Sequence, residues 1–155
     1  MRWIVLIALS ISAFSFNLIS TKKEPESLEE LGEILFNDPI LSGDYSVACS
    51  SCHNPQFAFA DTSAFSIGVN KKPSSRNTPT VMNVLARPLF FWDGRAKTLE
   101  EQALHPIKNP DEMNLSLDEA VKRLNQNEDY VKWFKKFFNA LPDSNNLGEA
   151  IAAFE

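Results

Sequence analysis

The chain has 155 residues, long enough for one domain with a real core. Its net charge of −5 and pI near 5.1 argue against a nucleic-acid partner, which rewards basic surfaces. An acidic surface suits small cationic partners, or simply keeps a protein soluble.

The N-terminus opens with Arg2 and an apolar run from Trp3 to Ile19, broken only by small polar residues, with Lys22-Lys23 behind it. Residues 1–21 therefore read as a secretory signal or an uncleaved membrane anchor. The run is at the short end of the ~17–25 residues that span a bilayer. No clean small-x-small cleavage site is present, and the first cysteine is Cys49, so there is no lipobox. Residues 22–27 form a polar linker, and one domain is expected over 28–155. Ser27, with Glu30 three residues on, predicts a capped helix from Leu28 to Phe36 whose Leu28, Leu31 and Leu35 share a face. Asn37-Asp38-Pro39 ends it.

Cys49-Ser50-Ser51-Cys52-His53 reads C-x-x-C-H, the attachment sequence of a c-type haem. Thiols three positions apart lie on one face of a helical turn and can add to two vinyl groups of one porphyrin. The next residue, His53, is tethered closely enough to be the proximal iron ligand. A redox disulfide, half of a zinc site and a pair of core thiols are the alternatives. No βαβ pattern supports the first, and only His105 remains as a further histidine for the second. Covalent haem and the N-terminal run agree on one address, because c-type haem is attached outside the cytoplasmic membrane. The periplasm is the expected compartment.

From Asn54 to Phe91 no sustained period of either kind appears, and Pro55, Gly68, Pro73, Pro79 and Pro88 punctuate the stretch. So long an irregular segment is usually functional. It is expected to wrap the haem, with Phe57, Phe59, Phe65, Phe90, Phe91 and Trp92 as candidate lining, or else to supply an ordinary aromatic core. Helical signals then return. Thr98 and Glu101 cap a short helix, Leu99 to Leu104, stopped by Pro106. Ser116 and Glu119 open another from Leu117 to Asn125. A third begins at Asn127 or Glu128, with Val131, Phe134 and Phe138 on one face, and is closed by Leu141-Pro142. A fourth begins at Asn146, with Leu147, Ile151 and Phe154 on one face. That stripe is still running at Glu155, which predicts that the reading frame continues into a further domain with a second C-x-x-C-H.

Three segments together resemble the bacterial dihaem cytochrome c peroxidase family, which includes the methylamine-utilisation-type dihaem enzymes. They are Cys49 to His53; Ser66-Ile67-Gly68 with Arg76-Asn77-Thr78-Pro79-Thr80 and Asn83; and Phe91-Trp92-Asp93-Gly94-Arg95 with Leu99, Gln102, Pro106 and Glu112-Met113. The resemblance runs from about Leu28 to Glu155, the N-terminal, peroxidatic half. It implies a mostly α, cytochrome c-like domain with long loops around a haem that reduces hydrogen peroxide to water. A second haem domain would feed it electrons from a small cytochrome c or copper protein. His53 would be the proximal ligand. Gln102 and Glu112 match the distal pair, an amide that holds peroxide and a carboxylate that carries its proton. Trp92 matches a tryptophan between the two haems, and Asn77 a ligand of an interdomain calcium ion. The resemblance also leaves room for a homodimer. One departure matters: many relatives place a displaceable histidine after Ser-Ile-Gly, and here that residue is Val69, so an open distal face is expected. The competing expectation is a mono-haem electron carrier without turnover, with Met82 or Met113 as sixth ligand. A dihaem relative that oxidises a partner protein is a third outcome.

Overall fold

The computed structural model describes residues 23–155, and the expected signal or anchor over 1–21 lies outside them. No helix among the described residues is long and apolar enough to cross a membrane. Among the described residues six α-helices carry the fold: α1 (Leu28–Phe36), α2 (Cys49–Cys52), α3 (Leu99–Lys108), α4 (Leu117–Asn125), α5 (Glu128–Phe138) and α6 (Ser144–Phe154). No strand forms among the described residues. Isolated bridges joining Asn54 to Ala60, Ile67 to Pro73 and Phe90 to Ala96 pin the stretch between α2 and α3.

α1 and α4 have the expected ends, because their caps are local. Ser27 Oγ accepts from the Glu30 N–H at 3.3 Å, and Ser116 Oγ from the Glu119 N–H at 3.2 Å. The reciprocal bond in α1 shifts by one residue: Glu30 Oε2 accepts from the Glu26 N–H at 2.8 Å.

Three expectations are corrected. α3 does not stop before Pro106 but runs to Lys108. Proline removes one N–H, yet the following loop folds back on the helix end and supplies donors to its last carbonyls: Met113 N–H to Pro106 O at 3.2 Å and Leu115 N–H to Ile107 O at 2.8 Å. The buried stripe of α5 is Tyr130, Trp133 and Phe134, while Val131 and Phe138 are half-buried. Tyr130 can face inward because its hydroxyl donates to Asp38 Oδ2 at 2.5 Å, and Trp133 meets its ring edge-to-face at 5.3 Å. α6 begins two residues early, at Ser144, because Asp143 is its cap and Asn146 Oδ1 returns a bond to the Asp143 N–H at 2.8 Å.

α6 lies at the centre, packed against α1 and α3. Its crossing with α1 is close enough to require glycine: a Cβ on Gly32 would sit 2.1 Å from Ala150 O. Leu31, Leu35 and Phe36 then join Trp133, Phe134, Leu147 and Ile151 in one core. A smaller cluster, Val84, Phe90, Ala96 and Leu99, anchors the end of the irregular stretch to the start of α3. At the N-terminal edge, Glu24 pairs with Lys132, and Lys136 Nζ donates to Pro25 O at 2.7 Å, so residues 24–25 lie against α5.

Candidate functional site

The C-x-x-C-H segment folds as the single turn of α2, closed by the His53 N–H donating to Cys49 O at 2.9 Å. Arg123 of α4 holds the loop that leads into it. Its guanidinium donates to Ile40 O at 3.0 Å, Ser42 O at 2.8 Å and Gly43 O at 3.3 Å, and lies over the Tyr45 ring at 4.1 Å. Both thiols are free and half-buried. Burial pushes the Cys49 thiol up to about 12, helped by the nearby Glu155, and burial raises Cys52 too. A redox-active pair needs a lowered thiol pKa, so the direction of both shifts counts against the disulfide alternative. No group of three or more His, Cys, Asp or Glu among the described residues is placed to hold a metal ion, which counts against zinc.

His53 Nδ1 lies 3.2 Å from Phe59 O and 3.1 Å from Pro79 O. Carbonyl oxygens only accept, so Nδ1 carries the hydrogen and Nε2 keeps its lone pair. Burial lowers the pKa of the ring, which favours the same neutral form. Orientation of a ligating imidazole through its other nitrogen is what iron binding requires. Here both acceptors come from the irregular stretch.

Cys49, Cys52 and His53 line a cavity of about 970 Å³ together with Gln102, Glu112 and Trp92. That volume is at the upper end of the ~300–1,000 Å³ of ligand sites. Vicinal thiols on one turn, an imidazole with a free Nε2 and a cavity of this size fit a covalently held haem.

Gln102 projects from α3, half-buried. Glu112 stands on the loop after α3, where burial raises its pKa against the opposing pull of a hydrogen bond from Asn109 and of the Arg95 charge. Asn109 Nδ2 donates to Glu112 Oε1 at 2.9 Å. The Ser-Ile-Gly segment presses on this loop from the other side. The Val69 N–H donates to Glu112 O at 2.8 Å, and a Cβ on Gly68 would lie 2.3 Å from Asp111 O. Only glycine permits that approach.

The remaining predicted residues divide. Trp92 is 86% exposed, which removes core packing as its explanation; Arg76 sits 5.8 Å from its ring. Asn77 lines the cavity, and its Nδ2 donates to Ser63 O at 2.8 Å. Val69 is buried and is not part of the cavity wall. Of the aromatic candidates, Phe90 and Phe91 line the cavity, whereas Phe57 and Phe65 are exposed and Phe59 packs against Phe36 and Phe154. Met113 lines the cavity and is buried; Met82 is half exposed and does not. His105 lines instead a smaller cavity of about 270 Å³, edge-to-face with Phe91 at 5.1 Å. Ser66, Asn109 and Glu155 line the cavity as well. Ser66 Oγ donates to Asp61 Oδ2 at 2.6 Å and lies 2.6 Å from Thr78 Oγ1, bridging two loops. Asn109 is legible only as a turn former. Glu155 has a buried Oε2 with no hydrogen-bond partner among the described residues, and burial pushes its carboxyl up to about 7.

These features define a cytochrome c-like haem domain: a small helical frame around a C-x-x-C-H turn, with a histidine prepared for iron. The model of the di-haem cytochrome c peroxidase family matches residues 26–155, and the chain belongs to that family. It is 44% identical over 127 residues to the methylamine utilization protein MauG of Methylorubrum extorquens, covering 81% of this chain and 36% of that protein. It is 40% identical over 133 residues to the cytochrome c551 peroxidase of Pseudomonas aeruginosa, covering 84% and 38%. Among solved structures, a MauG-like protein associated with microbial copper homeostasis superposes with a TM-score of 0.75 at 34% identity, covering 84% of this chain and 41% of the other. The diheme peroxidase BthA of Burkholderia thailandensis gives 0.71 at 28% identity, covering 85% and 38%. The chain thus spans well under half the length of these relatives. Haem c is the cofactor the family carries.

Proposed function

We propose that this chain is the peroxidatic half of a cytochrome c peroxidase, which reduces hydrogen peroxide to two waters with two electrons and two protons. Thioethers to Cys49 and Cys52 would hold the haem, and His53 Nε2 would be its proximal ligand. When bound, haem c supplies the iron at which peroxide is reduced and through which electrons arrive one at a time. The protein's own residues do the rest. Gln102 offers an amide that donates to one peroxide oxygen and fixes its position. Glu112, its pKa raised by burial, would take a proton from one peroxide oxygen and return it to the other. Val69, at the position where many relatives carry a displaceable histidine, supplies no lone pair and would leave a bound haem without that ligand. Trp92 stands exposed at the cavity edge, where electrons from a second haem domain would enter, and Asn77 keeps its Oδ1 for calcium. The donor is a small cytochrome or copper protein, and the compartment is the periplasm.

The observation that carries this reading is the single cavity shared by His53, Gln102 and a Glu112 of raised pKa. The test is Glu112→Gln. It is expected to slow the peroxide reaction by ~10²–10⁴ while acid-acetone leaves the haem on the denatured chain. A variant as fast as the parent overturns the role of Glu112, and colour extracted into the solvent overturns covalent attachment. One observation favours the electron-carrier reading: Met113, a sulfur ligand by type, lines the same cavity. A fully low-spin ferric spectrum at neutral pH, unchanged by cyanide, would assign Met113 as sixth ligand and replace the peroxidase reading.

A further inference from the structure

Asn109 ends α3 and is the root of the loop that carries Glu112. Its backbone N–H donates to His105 O at 3.1 Å and Pro106 O at 3.2 Å, and its carbonyl accepts from the N–H groups of Glu112 at 3.1 Å and Asn114 at 2.9 Å. Its Oδ1 accepts from the Asp111 N–H at 3.0 Å. These bonds are sufficient to form the turn, and an aspartate would make every one of them, because Asx turns use only the side-chain oxygen. What an aspartate cannot make is the remaining bond, Nδ2 to Glu112 Oε1 at 2.9 Å. The amide in place of a carboxylate at this position is therefore explained by Glu112 and not by the turn.

We propose that Asn109 is a positioning residue for Glu112: its amide holds Oε1 as an acceptor, which places the transferable proton on Oε2 and keeps the buried carboxyl able to ionise. The proposal rests on the reading of Glu112 as the proton carrier. The chemistry is forced by the donor. An amide N–H cannot accept, so a proton on Oε1 would face another hydrogen, and Oε2 is the oxygen left to take it. The groups around Glu112 do not substitute for the amide. Arg95 favours the carboxylate but is committed to Asp93 at 2.8 Å, and Asp111 opposes it. The Cys49 and Cys52 thiols, whose ionisation Glu112 disfavours, are neutral. His105 and Lys108 share the smaller cavity with Glu112, as do Asn109 and Arg95. Among the described residues, Asn109 is the donor in direct contact with the Glu112 carboxyl.

The test is pH-difference infrared spectroscopy of the haem-loaded protein, with Glu112→Gln used to assign the carboxyl band. Asn109→Asp keeps the turn acceptor, removes the donor and adds a like charge. It should raise the Glu112 midpoint by about one pH unit or more. Asn109→Ser removes the long donor without adding charge and should raise it less, with the protonated C=O stretch moving to higher frequency as Oε1 loses its bond. The pH profile of the peroxide reaction should move with the midpoint. A purely structural Asn109 would instead lower the melting temperature of both variants and leave the midpoint and the stretch at parental values in the charge-neutral Asn109→Ser, which overturns the proposal. The infrared readout is on Glu112 itself. A shifted carboxyl in Asn109→Asp beside an unimpaired Glu112→Gln would therefore sink the proton-carrier reading while the positioning stands.

Discussion

In α5, Tyr130, Trp133 and Phe134 are buried to within 1%, whereas in the stretch between α2 and α3 Phe57, Phe65 and Trp92 stand 49%, 51% and 86% exposed. The two regions use similar residues for opposite ends. The helical frame closes on itself: aromatic and aliphatic side chains fill one core, and α6 is wedged between α1 and α3. The irregular stretch buries Val69, Val84 and Phe90 but leaves Phe57, Phe65 and Trp92 uncovered, and polar contacts tie its turns together. Thr80 Oγ1 donates to Ala58 O at 2.5 Å, Asn77 to Ser63 O at 2.8 Å, and Ser66 bridges Asp61 and Thr78. Among the described residues, non-glycine positions with positive φ gather there as well: Ala58, Phe59, Asn70, Lys71, Asn83 and Phe91. Strained backbone persists only where its surroundings hold it, and it collects at functional sites. Stability resides in the frame, and the shape of the cavity resides in the stretch that the frame supports.

Trp133→Ala should give the largest effect that separates the regions, a loss of ~3–5 kcal/mol in denaturant unfolding. A loss that large from Phe65→Ala would break the comparison. Gly68→Ala comes next, with an expected ~1–3 kcal/mol, because a Cβ 2.3 Å from Asp111 O forces the Glu112 loop to move. Unlike Trp133→Ala, it should also shift the titration of Glu112 in the native protein. Glu155, where α6 meets the cavity, sharpens the comparison through pH. Its carboxyl is raised from the ordinary 4.5 to about 7 by burial. Between those values the unfolded chain has lost a proton that the folded one retains, so stability falls as pH rises through the window. His53, lowered from its usual value, acts in the opposite sense below 6.5. Glu155→Gln should therefore raise the melting temperature at pH 7 relative to that at pH 5, compared with the same pair in the parent. Asn127→Ala, which removes the cap that accepts from Asp129 N–H at 3.0 Å, should cost ~1 kcal/mol. Smallest of all, Phe65→Ala should stay within about 0.5 kcal/mol by thermal melting.

The frame was legible in the sequence because its signals are local. Ser27 and Ser116 cap the helices that their spacing predicts, and Leu31 and Leu35 fall inward as periodicity requires. Legibility failed where a distant partner intervened. Asp38 lets Tyr130 turn inward, and the loop over 109–115 carries α3 past Pro106.

Of the candidate site, the sequence by itself determined the residue types: two thiols and an imidazole on one turn, and a glutamine and a glutamate in a motif that resembles a known family. That is covalent and short-range information, and the spacing C-x-x-C-H is enough to carry it. Only the tertiary structure decided which of those residues share a cavity. It tied His53 Nδ1 to the carbonyls of Phe59 and Pro79, buried Val69 away from the cavity and left Trp92 in the open. It also placed the amide of Asn109 on Glu112 and the carboxyl of Glu155 beside Cys49. Each of these depends on backbone carbonyls, close approaches and desolvation that arise between segments far apart in the chain, and no periodicity or motif encodes them.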